Sequence, residues 1–309
     1  MTEFPWVSVS GFGAHIKSTR KTLVIQKKKS VEEYPIESVR HLLIVGGHTI
    51  HSATINQLIR QGSWVSFFES DGTPVGTLQP SGWESHLAVR EAQQEIPRQR
   101  YAITLAQASI KSRIFAIEKT EELKNTRLFY EGELEILSNS HDEVAYLIKL
   151  DEIRRLHRLA SDMYYEIMAR SLPSEFGFRR RTPGPYPDPV NAMLSFGYSL
   201  LYGNCSVAVV GAHLDPDVGF LHEGKGALVK DLIEPLKAGM VDPVVFQIVS
   251  GSLKECDFDI SSGRCLLSDN LMKKMIQLFY NGINLQKINE QVMNMTTAIQ
   301  DKAAATVLY

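Results

Sequence analysis

The chain has 309 residues, of which 44% are hydrophobic and 22% are charged, and its formal net charge is −2. This is the composition of an ordinary globular protein, and the length suffices for two hydrophobic cores, so we expect two domains. The near-neutral net charge excludes a uniformly basic nucleic-acid-binding protein, so any contact with nucleic acid must come from local clusters of Lys and Arg. We find neither a signal-peptide pattern nor a run of about 18 apolar residues, which predicts a cytoplasmic protein without a membrane segment.

Residues 1–82 are predicted to form a small domain rich in β-strands. Short β-branched and aromatic runs are separated by turn residues, and Asp71-Gly72 is a strong hairpin signal. A short helix over Ser52–Arg60 interrupts the strands, and Pro80-Ser81-Gly82 is the predicted linker. The pair His48 and His51 could be metal ligands, but no third ligand is nearby, which favours a turn at the start of that helix.

Residues 83–309 are predicted to be mainly helical, because the hydrophobic period changes from two to between three and four residues. The predicted helices are Arg100–Ile117, Glu131–Leu137, Glu143–Ser171, one or more core helices over Val190–Leu214, Val241–Leu253, and a final helical stretch from Asp269. Phe258–Leu267 suggests a hairpin around Ser262-Gly263, and the tail from Asp301 is expected to fray. The three cysteines, Cys205, Cys256 and Cys265, lack C-x-x-C spacing and are expected to be reduced thiols.

One polar segment stands out in the helical region. Asp231 and Glu234 are three residues apart on a predicted helix, so their carboxylates project from the same face. His222 lies in a glycine-bounded loop twelve residues before Glu234. Neutral imidazole nitrogen and carboxylate oxygen are compatible ligands of one divalent cation. Taken alone the signal is weak, because a histidine in such a loop is more often structural.

Three sequence blocks follow one another at close spacing around this segment. They are DPVNAMLSFGYSLLYG from Asp188 to Gly203, then LDPDVGFLHEGKG, then LVKDLIEPLK. In this order they resemble the CRISPR-associated endonuclease-integrase family, the catalytic subunit of the spacer-acquisition module, and the resemblance covers essentially the whole chain. It implies an α+β fold, in which a small N-terminal β-sandwich-like domain makes the dimer contact and a larger all-α domain is catalytic.

The resemblance also implies a metal site. Family members hold a divalent metal, Mn²⁺ or Mg²⁺, with a Glu, a His and a second acidic residue. The His corresponds to His222 and the second acid to Glu234, while Asp231 would contribute through an outer-shell water. At the first position the family has Glu-Gly, with an aromatic residue seven positions after the Glu. The matching run here places His157 where the Glu is expected and Tyr164 seven residues later.

His157 lies within the apolar stripe of its predicted helix, which supports this alignment. The same position suits a buried core histidine, so the ligand and core roles both remain open. A site of two imidazoles and one carboxylate should favour Mn²⁺ or a softer ion over Mg²⁺.

The implied reaction is phosphoryl transfer, in which the 3′-hydroxyl of a DNA fragment attacks a phosphodiester of the CRISPR repeat next to its leader. The predicted DNA-binding residues are Arg179, Arg180, Arg181, Lys230, Lys237, Asn191 and Tyr202, although helix packing explains Tyr202 equally well. The implied partners are DNA, a second copy of the chain and a small ferredoxin-like adaptation subunit. Two alternatives remain, a related mobile-element transposase and a catalytically silent DNA-architectural subunit, the latter because of His157.

Overall fold

The protein is described by a computed structural model covering residues 4–28, 30–81, 87–261 and 263–309, and for Leu87 the backbone alone. The N-terminal strands are β1 (Trp6–Ser10), β2 (His15–Ser18), β3 (Thr22–Gln26), β4 (Val31–Pro35), β5 (His41–Val45), β6 (Thr49–Ile50), β7 (Trp64–Phe68) and β8 (Pro74–Leu78). Helix α1 (Ser52–Arg60) coincides with the predicted helix. His48 makes turn contacts, with Nδ1 accepting from the Ala14 N–H at 3.1 Å and Nε2 donating to the Val45 carbonyl at 3.0 Å.

The eight strands form two four-stranded sheets, in the orders β1-β5-β7-β8 and β4-β3-β2-β6. Strands β1, β5 and β7 run parallel, whereas β8 returns antiparallel across the predicted Asp71-Gly72 turn. Alternate residues of both sheets meet in one core that includes Val9, Ile16 and Ile25. The predicted β-sandwich-like domain is therefore confirmed.

Helices dominate the rest of the chain. They are α2 (Leu87–Glu95), α3 (Arg98–Lys124), α4 (Glu133–Glu143), α5 (Leu150–Ala169), α6 (Pro189–Gly211), α7 (Ala227–Met240), α8 (Asp242–Gly251), α9 (Asp269–Gly282) and α10 (Leu285–Gln300). A hairpin of β9 (Phe258–Ser261) and β10 (Arg264–Leu267) separates α8 from α9, as predicted, although Ser262 in its turn lies outside the described residues. The α+β class is confirmed. The predicted boundary at residue 82 falls between β8 and α2, at the edge of the undescribed residues 82–86.

Strand β5 belongs to two cores at once, which explains why all five of its residues are buried. Leu42 and Ile44 face the core between the sheets, whereas Leu43 and Val45 face the core of the helical domain. Because successive side chains of a strand point to opposite faces, a strand covered on both faces loses the polar alternation of a surface strand. The β-domain is therefore joined to the helices by an apolar face.

Two glycines of α6 bring that helix against the β-domain. A Cβ atom on Gly203 would lie 1.8 Å from the carbonyl oxygen of Asp71 at the tip of the β7–β8 hairpin. One on Gly211, two turns later, would lie 2.8 Å from Cδ1 of Leu43 and 3.0 Å from the ring of Trp6. Only glycine permits this close approach of helix and sheet.

The predicted core helices over Val190–Leu214 are one continuous helix, α6. Within the described part of the chain it alone is long and apolar enough to cross a membrane, yet 56% of its apolar window is buried inside the protein. It packs against α7, α8 and α10, as expected of a core helix. The tail after α10 is held in place rather than frayed, because Tyr101 donates to the Ala303 carbonyl at 2.9 Å and the Leu308 N–H donates to Gln291 at 2.7 Å.

Candidate active site

Helices α3, α5 and α7 pack together and enclose one carboxylate, that of Glu234. The residue points from α7 toward Arg113 on α3 and His157 on α5. The fourth contributor is His222, in the loop that leads into α7. The four side chains come from segments up to 121 residues apart in the sequence.

The loop before α7 is folded around Asp231. This fully buried carboxylate accepts the backbone N–H groups of Phe220 at 2.5 Å and Leu221 at 3.1 Å on Oδ2, and that of His222 at 2.7 Å on Oδ1. A Cβ atom on Gly219 would lie 2.9 Å from Asp231 Oδ2, so the close turn requires glycine there. One buried carboxylate thus fixes the loop relative to the helix.

The same carboxylate orients the His222 ring. Nδ1 of His222 lies 2.7 Å from Asp231 Oδ1, and a carboxylate can only accept, so the proton is on Nδ1. The lone pair of Nε2 is then available and lies 4.0 Å from Oε1 of Glu234. This is the arrangement in which a second carboxylate fixes the tautomer of a metal-ligating histidine. Asp231 was predicted to act through an outer-shell water, whereas the structure puts it in direct contact with His222.

His157 lies on the other side of Glu234, with Nε2 3.8 Å from Oε2. It is 7% exposed, and its Nε2 is also 3.0 Å from the Ser109 hydroxyl. Burial and the nearby charge of Arg113 lower the pKa of His157 to about 3, so the imidazole is neutral at physiological pH. The His157 and His222 rings are nearly perpendicular, at 86°, with centroids 6.4 Å apart.

Two cations already contact the oxygens of Glu234. Arg113 Nη2 lies 2.8 Å from Oε2, and Lys237 Nζ binds Oε1. Burial alone would raise the pKa of Glu234, but the charges of Lys237 and Arg113 hold it well below its ordinary value. Glu234 is therefore ionised, and its single negative charge is contacted by two cations.

The donor set fits a transition-type divalent cation in its chemistry. Two imidazole nitrogens and a carboxylate are ligands of Mn²⁺ and softer ions. The gaps of 3.8 and 4.0 Å between these donors are longer than the roughly 3.0–3.4 Å between neighbouring ligands bound at about 2.1 Å from one ion, so the side chains would have to close around a cation. Across residues 4–28, 30–81, 87–261 and 263–309, however, no His, Cys, Asp or Glu group is already arranged as a formed metal centre. Each oxygen of Glu234 has a second lone pair, so a bound cation would share the carboxylate with Arg113 and Lys237.

A cleft of about 360 Å³ opens onto these residues from the protein surface. His157, His222 and Glu234 line it, together with Arg154 and Arg158. Arg154 is held in position by the Leu221 carbonyl at 2.6 Å and by Glu223 at 2.8 Å, whereas Arg158 is exposed. The site is thus open to an anionic substrate and has arginines beside it.

Arg179, Arg180 and Arg181 were predicted as DNA contacts, and the structure separates them. Arg179 and Arg180 are exposed and available to phosphates. Arg181 is half-buried and donates to Asn191 Oδ1 at 2.6 Å and to Ser195 Oγ at 2.5 Å. Residues 177–188, which precede α6 and contain these three arginines, form a basic loop. Arg181 anchors this loop to α6, while its two neighbours project from it.

The prediction that Asn191 contacts DNA is wrong. Asn191 is fully buried, and its side chain bonds Asp188, Arg181, the Arg180 carbonyl and the Thr182 N–H. A side chain with no exposure cannot reach a DNA strand, so its role is to join the basic loop to the start of α6.

Of the three remaining predicted DNA contacts, those of Lys237 and Tyr202 differ from expectation. Lys237 is directed at Glu234, so its assignment to a phosphate is not supported. Tyr202 is half-buried and packs against Gly226, because a Cβ atom added to Gly226 would lie 1.8 Å from the Tyr202 hydroxyl. This favours the helix-packing role of Tyr202 over a DNA contact. Lys230 is half-buried on α7, and its contact with DNA stays a prediction.

Sequence reasoning missed Arg113 and Ser109. Both are buried on α3, at 2% and 0% exposure, in the stripe that also contains Leu105 and Ile117. A charged residue at a core position of a helix is rare unless it has a buried partner. That anomaly at Arg113, visible in the sequence, could have indicated a buried carboxylate elsewhere.

Known proteins are similar to this chain in sequence and in fold. The profile described as CRISPR associated protein Cas1 matches residues 7–281. A Cas1 protein of Methanospirillum hungatei is 39% identical over 301 residues, which cover 97% of this chain and 99% of the relative. A CRISPR-associated endonuclease Cas1 of Thermus thermophilus is 30% identical, over 86% of this chain and 83% of the relative.

Solved structures agree in fold at lower identity. A casposase bound to integration product has a TM-score of 0.83 at 19% identity, with 98% of this chain and 97% of that chain covered. The Cas1 protein of Thermotoga maritima has a TM-score of 0.73 at 19% identity, with 95% and 96% covered. Because the profile spans both domains and the Methanospirillum relative aligns along nearly the full length, the chain belongs to the CRISPR-associated Cas1 family.

Proposed function

We propose that this chain is a DNA integrase and endonuclease that inserts short foreign DNA fragments into a CRISPR array. The observation that carries the proposal is the convergence of His157, His222 and Glu234 at one cleft. The family supports it, since relatives are named Cas1 endonucleases and a similar fold occurs in a casposase bound to integration product. The reaction would take place in the cytoplasm.

In the proposed reaction, the 3′-hydroxyl of a DNA fragment attacks a phosphodiester of the repeat. One phosphorus–oxygen bond forms, one breaks, and the displaced 3′-oxygen leaves with a proton. No covalent protein intermediate is needed. With water as the nucleophile, the same site would nick DNA, and in reverse it would resolve a branched product.

His157, His222 and Glu234 would hold the divalent cation, with Mn²⁺ preferred over Mg²⁺ because two of the three donors are imidazole nitrogens. When bound, such an ion would supply Lewis-acid stabilisation of the charge that develops at the phosphate. Asp231 would keep His222 in the correct tautomer. Arg179 and Arg180 would bind phosphates of the DNA backbone, giving a strong dependence on salt.

The proposed assembly is a homodimer that works with a small ferredoxin-like adaptation subunit on DNA. Structures with this fold include a Cas6-RT-Cas1–Cas2 complex, with a TM-score of 0.76 and 19% identity. Copurification of the chain with that subunit, followed by mass measurement, tests this part independently of catalysis.

A branched DNA that mimics the integration product tests the activity itself. The wild-type protein should resolve it in Mn²⁺, and His222→Ala should reduce the rate to background. His141→Ala is the matched control, because it removes a histidine of α4 that pairs with Asp142 and is absent from the cleft. Unchanged activity in His222→Ala would refute the assignment of His222.

A catalytically silent DNA-architectural subunit is the second candidate. It is favoured by His157 in place of the expected Glu and by Arg113 and Lys237 on both oxygens of Glu234. This candidate predicts DNA binding without strand transfer in any divalent cation and no stoichiometric Mn²⁺ binding by calorimetry. Strand transfer by the wild-type protein rules it out.

The transposase alternative makes a different prediction about substrate. A mobile-element enzyme should integrate fragments that carry terminal inverted repeats, without preference for a repeat array. Offering both targets in one reaction and sequencing the junctions separates the two. Junctions concentrated at the first repeat support the CRISPR assignment.

A further inference from the structure

A buried acid lies behind the candidate active site. Asp242, at the start of α8, is 1% exposed and accepts the hydroxyl of Tyr164 at 2.8 Å and that of Tyr198 at 2.5 Å. Tyr165 in turn lies 2.6 Å from the Tyr198 hydroxyl and donates to it. Helices α5, α6 and α8 are thus joined through one carboxylate.

The two tyrosine rings lie against the two cations that bind Glu234. Lys237 Nζ is 5.0 Å from the centroid of Tyr198, and Arg113 Cζ is 5.9 Å from that of Tyr164. Both distances fall within the range of a cation–π interaction, which is about 6 Å. Lys237 binds Oε1 of Glu234 and Arg113 binds Oε2, so each oxygen has its own cation and each cation its own ring.

We propose that Asp242, Tyr164 and Tyr198 are positioning residues, which hold Arg113 and Lys237 and thereby set the place of Glu234 in the site. The inference rests on the proposed strand-transfer function and deepens it. Asp242 fixes the two rings, the rings fix the cations, and the cations fix the carboxylate. None of the three residues lines the cleft, so they act through other residues.

The Tyr198 ring also connects the site to the basic loop. Arg181 Cζ lies 5.4 Å from its centroid, in addition to the bonds from Arg181 to Asn191 and Ser195. Arg179 and Arg180, the exposed candidates for phosphate contact, are adjacent to Arg181 in the chain. The Tyr198 ring therefore contacts both Arg181, which anchors this loop, and Lys237, which binds Glu234.

Burial of Asp242 is unfavourable in itself. It raises the pKa of the carboxyl to about 6, even though the hydroxyls of Tyr198 and Tyr164 and the charges of Arg113 and Lys237 oppose that rise. A role in folding alone would be served equally well by a neutral residue of the same shape. An ionisable group that is buried although burial removes its hydration is typical of functional sites.

Asp242→Asn and Tyr198→Phe test the proposal, with Tyr34→Phe as the matched control. The control removes a hydroxyl that bonds Glu32 in the β-domain, far along the chain from the site. We expect both test variants to resolve branched DNA at least about tenfold more slowly at saturating DNA, because small displacements of catalytic groups have large effects. The melting temperature of Asp242→Asn should not fall, whereas that of Tyr198→Phe should fall by a few degrees because a buried hydrogen bond is lost. Both variants should remain folded at the assay temperature, with a DNA affinity within about twofold of wild type.

Rates within about twofold of wild type in both variants would overturn the proposal. So would rate losses that match a loss of folded protein, since a purely structural role predicts that activity and stability fall together.

A second measurement separates this proposal from the proposed function. Acetylation of Lys237, quantified by mass spectrometry with exposed Lys149 as internal reference, reports how firmly Lys237 is held. It should become several-fold faster in Tyr198→Leu and stay unchanged in Tyr34→Phe. If wild type transfers no strands but Lys237 is released in this way, the positioning role of Tyr198 stands and the proposed function fails. If Lys237 reacts equally in all three proteins, the positioning role is refuted.

Discussion

His222 and Asp231 lie 2.7 Å apart, Nδ1 to Oδ1, and this contact determines which nitrogen of His222 faces Glu234. The carboxylate that orients the imidazole also accepts three backbone N–H groups of the loop carrying it. Loop folding and site geometry therefore depend on one buried side chain. A substitution of Asp231 should therefore change both the fold of the loop and the orientation of His222.

We predict that Asp231→Asn lowers both stability and Mn²⁺ affinity. The amide NH₂ of Asn would face N–H donors, so the unfolding free energy should fall by about 3 kcal/mol, as expected when buried donors lose a charged acceptor. Mn²⁺ affinity should fall roughly 10-fold to 100-fold, the usual cost of losing a partner of a metal ligand. Chemical denaturation and calorimetry measure the two effects.

Asp217→Asn is the control for that experiment. Asp217 is exposed and accepts one N–H, that of Gly226, at 2.7 Å. Its replacement should cost about 1 kcal/mol or less and leave Mn²⁺ affinity unchanged. Equal effects of the two variants would show that Asp231 has no special relationship with His222.

His157→Glu should shift the metal preference toward Mg²⁺. The change adds a hard oxygen ligand and a negative charge beside Glu234, and Mg²⁺ prefers oxygen ligands. The Mg²⁺-supported rate on branched DNA should rise roughly tenfold relative to the Mn²⁺-supported rate. A ratio that stays constant would place His157 outside the metal site, as a core histidine bonded to Ser109.

Gly203→Ala should loosen the contact between the two domains. The new Cβ would lie 1.8 Å from the Asp71 carbonyl oxygen, so either helix α6 or the hairpin must move, at a cost of about 1–3 kcal/mol or more. Gly239→Ala on α7 is the matched control, since nothing lies within 4 Å of its added Cβ. That control should raise stability by about 0.5–1 kcal/mol, because alanine is the better helix former. Urea denaturation of both variants measures these changes in the free energy of unfolding.

Asp242 should make the protein less stable as the pH rises. Its folded-state pKa is about 6 instead of 3.8, so the folded state retains the proton more strongly and is favoured at low pH. That advantage is lost as the pH rises from about 4 to 6, and the difference corresponds to about 3 kcal/mol at neutral pH. Asp242→Asn should therefore unfold at higher urea than wild type at pH 7.5 and at a similar urea concentration near pH 4. A variant less stable than wild type at pH 7.5 would contradict this account.

The sequence alone predicted much of this arrangement. The α+β class, the Asp71-Gly72 hairpin and the closeness of His222 to Glu234 follow from local patterns and from the three family blocks. The spacing of Asp231 and Glu234 correctly put both carboxylates toward the same loop. Local periodicity was enough for these features because each depends on residues close in the chain.

Contacts between distant segments could not be predicted. Arg113 meets Glu234 across 121 residues, and no helical pattern indicates that pairing. Lys237 is predicted to bind DNA as a basic side chain beside the site, yet three residues after Glu234 on one helix it is the ion-pair partner of Glu234. Asn191 was misassigned for a related reason, since a family-matched polar residue can be buried to hold a loop.

Pulsed electron paramagnetic resonance of Mn²⁺ added to the wild-type protein tests the central claim most directly, because it detects ligand nitrogens without requiring activity. The account predicts one bound Mn²⁺ per chain with coupling to two imidazole nitrogens, reduced to one nitrogen in either His157→Ala or His222→Ala. Mn²⁺ that remains hexaaqua, or a nitrogen signal unchanged by both substitutions, would contradict a cation shared by His157, His222 and Glu234.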